Sequence, residues 1–287
     1  MTPILSNSPE IIKEIIAFAL REDVGGGDHS SLACVPENAT GKARLLVKDN
    51  GVLAGVDLAK QILLEYDPTL KMEVMIEDGT EVKVGDIAFY ISGSSRSILA
   101  TERLLLNFMQ RMSGIATQTK RICNLVADTN VIILDTRKTT PCIRYMEKWA
   151  VRIGGGQNHR FALYDMIMLK DNHVDYAGGI KNAISQTQAY LKKTGKDLKV
   201  EIEVRNLKEL DEVLAVGNVD RIMLDNFSPT LLKEALSKIP SHFETEASGG
   251  ITEDSILEFA QTGVQFISVG ALTHSFKSLD LSLKASF

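Results

Sequence analysis

From about residue 131 onward, short apolar or alternating runs take turns with helical segments. That rhythm makes the chain an α/β protein with parallel strands and right-handed crossovers. Two further observations complete the expectation. Residues 41–91 hold several strand-like runs, turn residues between them and one helical stretch, which reads as a small strand-rich domain. The later part offers six or seven strand–helix units, which suits a barrel or partial barrel better than a short doubly wound sheet.

Each element follows in order. Residues 9–20, PEIIKEIIAFAL, place apolar side chains at helical spacing, with Pro9 near the first turn. Glycines 25–27 break that helix. ARLLVK, GVLAGV, MEVMI and TEVKVGDIAFYISG then read as strands, with turns at Asp49-Asn50-Gly51 and Asp78-Gly79 and a helix near 56–66. The stretch from Glu77 to Asp86, with the run after it, resembles the half-barrel of lipoyl and biotinyl carriers. It lacks a modifiable lysine at a hairpin tip, since Lys71-Met72 follows Leu70, so it reads as strand–turn–strand. Helical periodicity returns over 98–127. VIILDTRK, MIMLKDNH, VEIEVRN, RIMLDNF, ETEASGG and FISVGAL are the later strands. Most lead into helices: IRYMEKWAVRI, GGIKNAISQTQAYLKK, LKELDEVLAV, SPTLLKEALSKI and DSILEFAQ.

Composition narrows the function classes. With 44% hydrophobic and 24% charged residues, the 287-residue chain is ordinary globular protein, not a disordered one. Apolar runs such as Val131–Leu134 are far too short to span a bilayer. The N-terminus has no basic stretch followed by an apolar one, so no secretory signal is expected. Three scattered cysteines, Cys34, Cys123 and Cys142, suit a reducing cytoplasm rather than a disulfide framework. A net charge of −5 without a basic stripe argues against nucleic acid. It leaves room for a local basic pocket and a small anionic substrate.

Polar residues gather where the later strand runs end: Asp135-Thr136-Arg137-Lys138, Lys170-Asp171-Asn172-His173, Glu203, Asp225-Asn226, Ser248-Gly249-Gly250 and Gly270. In β/α barrels those ends build the active site. Arg137, Lys138, Arg160 and Lys170, with Arg103 on the preceding helix, form a cation set that calls for a polyanion. Glu203 and Asp225 end neighbouring strands and suit Mg²⁺, directly or through water or substrate. A direct ion pair with Lys138 or Lys170 is the competing reading. Ser248-Gly249-Gly250 and Val269-Gly270-Ala271 read as phosphate loops that lead into helices. Gly154-Gly155-Gly156 lacks the spacing of a dinucleotide fingerprint. His159, in Asn158-His159-Arg160 just before a strand, is a candidate through its neighbour Arg160, whereas His173 could simply orient its loop.

The ordered set of motifs resembles the quinolinate phosphoribosyltransferase family over nearly the whole chain. It runs from Glu22-Asp23-Val24-Gly25 and Gly27-Asp28 through Gly51–Gly55, Glu102-Arg103, Leu106-Asn107 and Ser113–Thr117. The strongest block is Asp135–Pro141, Glu147-Lys148, Gly154–Gly156, Asn158-His159-Arg160 and Leu169–His173. Glu201–Val204, Leu224–Phe227, Ala247–Gly250 and Ser268–Gly270 complete it. Two departures are Cys142, where the family usually has glycine, and an apparent extra residue near Val216–Asp220.

The resemblance implies an N-terminal α/β sandwich domain, residues 1–115, and an incomplete, open parallel α/β barrel, residues 116–275, with the C-terminal tail packing back onto the first domain. It implies phosphoribosyl transfer from phosphoribosyl pyrophosphate to quinolinate with decarboxylation, in NAD biosynthesis, by a cytoplasmic homodimer with shared sites. Arg103 would enter the neighbour's site. Thr136, Arg137, Lys138, His159, Arg160 and Lys170 would hold the pyridine dicarboxylate and the donor. Glu203 and Asp225 would face the ribose and Mg²⁺-pyrophosphate, and Ser248, Gly249, Gly250, Ser268, Val269 and Gly270 the 5′-phosphate. Lys138, Lys170, Glu203 and Asp225 would stand nearest the reacting groups. No nucleic acid or membrane partner is implied. Two alternatives stay open: a related phosphoribosyltransferase-like protein of molybdenum-transport operons, and a Schiff-base barrel aldolase using Lys138 or Lys170.

Overall fold

The computed structural model of the chain describes residues 8–286, which fall into two units. One holds the residues up to Arg121, then Lys138–Gly156, then those from Ala271 on; the other holds Ile122–Arg137 and Gln157–Gly270. Residues 1–7 of the expected first domain lie outside the described residues.

In the first unit, α1 (Ser8–Asp23) buries Ile12 and Ile16, one turn apart. A short helix that periodicity did not reveal, α2 (His29–Cys34), follows the glycines. Asp28 caps it, accepting from the Ser30 and Ser31 amides at 3.1 and 3.2 Å. Then come β1 (Thr40–Val47), β2 (Gly51–Val52), α3 (Val56–Tyr66), β3 (Lys71–Val74), β4 (Glu81–Val82), β5 (Ile87–Ser94) and the long α4 (Ser95–Leu125). The chain's last strand, β12 (Leu281–Ser286), completes an antiparallel sheet in the order β12-β1-β5-β3. Leu45 of β1 stands between Leu283 and Phe89, and its alternate neighbours Ala43 and Val47 are also buried. Against them lie Val56, Ala59 and Leu63 of α3 and Leu105, Leu106 and Met109 of α4, which together form one apolar cluster. Glu77–Asp86 lies across β4 and the turn into β5, a strand–turn–strand. Two more helices belong here, α5 (Arg144–Ile153) and α11 (Ala271–His274). Gly154 ends α5, and a Cβ there would collide with the Ala116 carbonyl, so the glycine run serves helix termination.

The second unit contains β6 (Ile132–Leu134), β7 (Ile167–Leu169), α6 (Asp171–Ala177), α7 (Ile180–Thr194), β8 (Val200–Val204), α8 (Leu207–Val216), β9 (Arg221–Asp225), α9 (Pro229–Lys238), β10 (Glu244–Ser248), α10 (Ile256–Ala260) and β11 (Phe266–Ser268). Its six strands are all parallel, in the order β6-β11-β10-β9-β8-β7. The edge strands β6 and β7 share no ladder among the described residues, so the array is open, as expected. All of β8 is buried, which means both of its faces are covered. One face carries Val200, Ile202 and Val204; the other carries Glu201 and Glu203. The 217–220 loop, where the sequence seemed one residue long, turns through Gly217 and Asn218 at φ of 64° and 57°. No described helix is long and apolar enough to cross a membrane.

Candidate functional site

The strand ends of the second unit collect most of the residues singled out above. Asp135 leaves β6 fully buried. Its carboxylate accepts the His159 amide at 2.9 Å and the Asn158 side-chain amide at 2.6 Å. Thr136 beside it is half-buried and Arg137 exposed. Gln157 bridges to Leu134, so the 158–160 segment is laid along the end of β6. His159 does not stand directly before a strand, since residues 161–166 intervene. Asp165 turns them by accepting the Phe161 and Ala162 amides at 2.6 and 2.7 Å. Arg160 is buried, and its Nη1 donates to the Met166 carbonyl at 3.3 Å. Burial and the nearby Arg137 charge hold its pKa down against the pull of Glu201 and Asp165. Two guanidiniums close enough to disfavour each other are ready for an anion.

At the end of β7, Lys170 Nζ donates to Glu203 Oε2 at 3.2 Å, which is the direct ion pair weighed from the sequence. The Lys170 amide donates to His173 Nδ1 at 2.9 Å, so His173 does orient its loop. Burial raises the Glu203 pKa, with Asp225 and Asp171 adding to it against Lys170. On neighbouring β9, Asp225 accepts from the Asn226 side chain at 2.6 Å. Asn226 has φ of 56°, and any Cβ at Gly249 would overlap its side chain, so the Asn226–Gly249 contact needs glycine.

The two glycine loops are tied together, since Ser268 Oγ donates to Ser248 Oγ at 2.9 Å. Gly250 is exposed, and α10 starts only at Ile256. The helices after these loops have five and four residues, so a phosphate there would meet loop backbone rather than a long helix dipole. The Val269 amide donates to Leu134 O at 2.9 Å, so Val269 holds the loop to β6.

Below these ends lies a charged cluster that the sequence reading did not assign. His159 Nε2 faces Glu201 Oε2 at 3.0 Å and Glu246 Oε2 at 3.3 Å. Arg221 donates from Nη1 to Glu246 at 2.9 Å and from Nε and Nη2 to Glu244 at 2.9 and 2.8 Å. Its guanidinium also lies 4.1 Å from the centre of the Phe266 ring. Burial disfavours charge on His159, but Glu201 and Glu246 outweigh it and push the ring up to about 9. Burial and Glu246 raise Glu201. Burial also works to raise Glu246, but His159, Arg221 and Ser268 hold it below the usual carboxylate range. The ligand atoms of His159, Glu201 and Glu246 lie within 4.8 Å of one another. With His159 and Arg221 already supplying the positive charge, we assign no metal to them. Glu203 and Asp225, at the strand ends, remain the pair suited to a cation.

The first unit holds the other two cations. Arg103 is exposed on α4. Lys138 lines a cavity of about 500 Å³ with Arg111, Thr140, Thr273 and His274, and its carbonyl accepts from Thr273 Oγ1 at 2.8 Å. Arg111, unnoticed in the sequence, donates to the buried Glu147 at 2.8 Å from Nε. Cys142 has φ of 68°, a conformation in which glycine is unstrained, which explains the family's usual residue there.

Comparison with known proteins shows the family. Residues 28–113 match the family model "Quinolinate phosphoribosyl transferase, N-terminal domain", and residues 115–284 match its C-terminal counterpart. The chain is 46% identical over 288 residues to "Nicotinate-nucleotide pyrophosphorylase (carboxylating), chloroplastic" of Arabidopsis thaliana, covering 95% of this chain and 82% of that one. It is 39% identical over 272 residues to a probable nicotinate-nucleotide pyrophosphorylase (carboxylating) of Bacillus subtilis, covering 95% and 92%. The crystal structure of NadC from Streptococcus pyogenes superposes with a TM-score of 0.91 at 40% identity, over 97% of each chain.

Proposed function

The chain belongs to the quinolinate phosphoribosyltransferase family, and from that premise we infer that it transfers the phosphoribosyl group of phosphoribosyl pyrophosphate to quinolinate with decarboxylation, a step of NAD biosynthesis. The products are nicotinate mononucleotide, pyrophosphate and carbon dioxide. The observation that carries this reading is the match to both family domains across nearly the whole chain.

The pyridine nitrogen attacks the anomeric carbon as the bond to pyrophosphate breaks. The alkylated ring is cationic and draws electrons from C2. The C2–carboxylate bond then breaks, carbon dioxide leaves, and the electron pair left at C2 takes a proton. Arg137 and Arg160, which already share one strand-end region, take the substrate carboxylates by bidentate contacts. Lys138 and Lys170 offset pyrophosphate charge, and Ser248–Gly250 with Ser268–Gly270 hold the 5′-phosphate. Glu203 and Asp225 favour positive charge on the ribosyl carbon. They are also a fitting donor set for Mg²⁺, which keeps few protein ligands and would offset the leaving pyrophosphate's charge there. Lys170 Nζ is engaged by Glu203 at 3.2 Å, which disfavours the Schiff-base alternative, since that needs an amine left open to attack a carbonyl. Arg103, exposed on α4, serves the neighbouring subunit's site in a homodimer. Cys34, Cys123 and Cys142 form no disulfide among the described residues, which fits a reducing cytoplasm.

The test is product formation from quinolinate, phosphoribosyl pyrophosphate and Mg²⁺ by the purified protein. Nicotinate mononucleotide and pyrophosphate should appear in equal amounts, and excess chelator should stop them. No product overturns the reaction, and full activity in chelator overturns the metal assignment.

A further inference from the structure

The imidazole of His159 has protein against both nitrogens. The Arg160 amide meets Nδ1 at 2.7 Å. Nε2 faces the carboxylates of Glu201 and Glu246 at 3.0 and 3.3 Å. The backbone is fixed as well, because the His159 amide donates to the buried Asp135 at 2.9 Å. The ring is buried. What it can do is set the 159–160 peptide, and with it the direction in which Arg160 leaves the chain.

Of the two carboxylates at Nε2, Glu246 is the anchored one. Arg221 donates to it at 2.9 Å, and Arg221 is pinned in turn by two bonds to Glu244 and by the Phe266 ring. A fork fixed on three sides leaves Glu246 little freedom.

We propose that Glu246 is a positioning residue: locked by Arg221, it orients His159 and through it aims Arg160 at a carboxylate of the pyridine substrate without touching that substrate. This rests on the reading of Arg160 as a quinolinate ligand. His159 then acts through Arg160 rather than by direct contact.

The experiment is steady-state kinetics of Glu246→Gln, which keeps shape and the acceptor for Arg221 but removes the charge. The KM for quinolinate should rise about tenfold or more, with kcat and the KM for phosphoribosyl pyrophosphate changed by no more than about threefold. A merely structural role would lower the active fraction and leave both KM values alone. Arg221→Lys, which keeps the charge and loses the fork, should show the same split at smaller size and stands in if Glu246→Gln does not fold. A folded Glu246→Gln with wild-type quinolinate KM, or with both KM values raised equally, overturns the proposal. If the wild-type protein makes no product, the functional reading fails instead. The clamp is then read from ¹⁵N-histidine spectra of the wild-type protein, which should show His159 protonated at Nε2. Protonation at Nδ1 with Nε2 bare would sink it.

Discussion

The apolar cluster of the first unit and the charged cluster of the second solve burial in opposite ways. In the first, Leu45, Phe89, Leu105 and Met109 meet in an apolar cluster, and the buried Glu147 and Lys148 of α5 lie outside it. In the second, Glu201, Glu246 and His159 are just as buried, with Arg221 paired to Glu246 and the edge of the group kept polar. An apolar interior gains stability from area removed from water and asks only for fit. A charged interior gains little net stability and depends on every partner being present. What it provides is rigid, directed polarity beneath the strand ends, where the candidate site residues stand.

Deletion should expose that difference first. Phe89→Ala opens a cavity and should cost about 3–5 kcal/mol in urea unfolding. Arg221→Met should cost a similar ~3–5 kcal/mol, for another reason: Glu244 and Glu246 lose their shared cation. The distinguishing step is a second change. Adding Glu246→Gln to Arg221→Met should recover part of the loss, whereas adding it to Phe89→Ala should not. A loss at Arg221 below ~1 kcal/mol would erase the contrast.

A pH series sharpens the comparison. The His159 pKa is raised from 6.5 to about 9 in the folded protein, so its contribution is fully present below pH 6.5 and is lost as pH rises through about 9. The shift corresponds to roughly 3 kcal/mol at most. Stability measured by urea between pH 6.5 and 9.5 should therefore fall with pH. Phe89→Ala should lower that curve without changing its slope, and His159→Gln should flatten it. A wild-type curve with no alkaline slope would remove the charged interior's role.

The smallest signal comes from mixing variants. Arg103→Ala should fold normally and lose activity. Combined in equal amounts with a Lys138→Ala, Lys170→Ala double variant, it should recover about a quarter of wild-type activity, because half the dimers then hold one intact site. No recovery, with subunit exchange demonstrated, would contradict a shared site.

The same contrast explains what could be read from residues alone. The α3 and α8 helices lie where periodicity put them, at 56–66 and 207–216, because each has one apolar face. All six later strands were legible as runs. Strand-end polarity pointed to Lys170, Glu203 and Asp225 because charge after an apolar run stands out. Glu201, Arg221 and Glu246 did not stand out, because a charged residue alternating with apolar ones reads as facing water. Only the burial of both strand faces reveals them as interior. The α2 and α6 helices, with six and seven residues, are too short for periodicity to show. Arg111 reads as an ordinary helix cation until Glu147 is placed beside it.

Substrate choice tests the account most directly. Quinolinate carries a carboxylate at C2 that nicotinate lacks, and the site proposed around Arg137, Arg160 and Lys170 would be left with unmet charge when that group is missing. The measurement is product formed and carbon dioxide trapped from quinolinate labelled in the 2-carboxylate, run beside nicotinate under the same conditions. The account predicts one labelled carbon dioxide per nicotinate mononucleotide and at least tenfold weaker use of nicotinate. Comparable turnover of nicotinate, or product without stoichiometric labelled carbon dioxide, would contradict it.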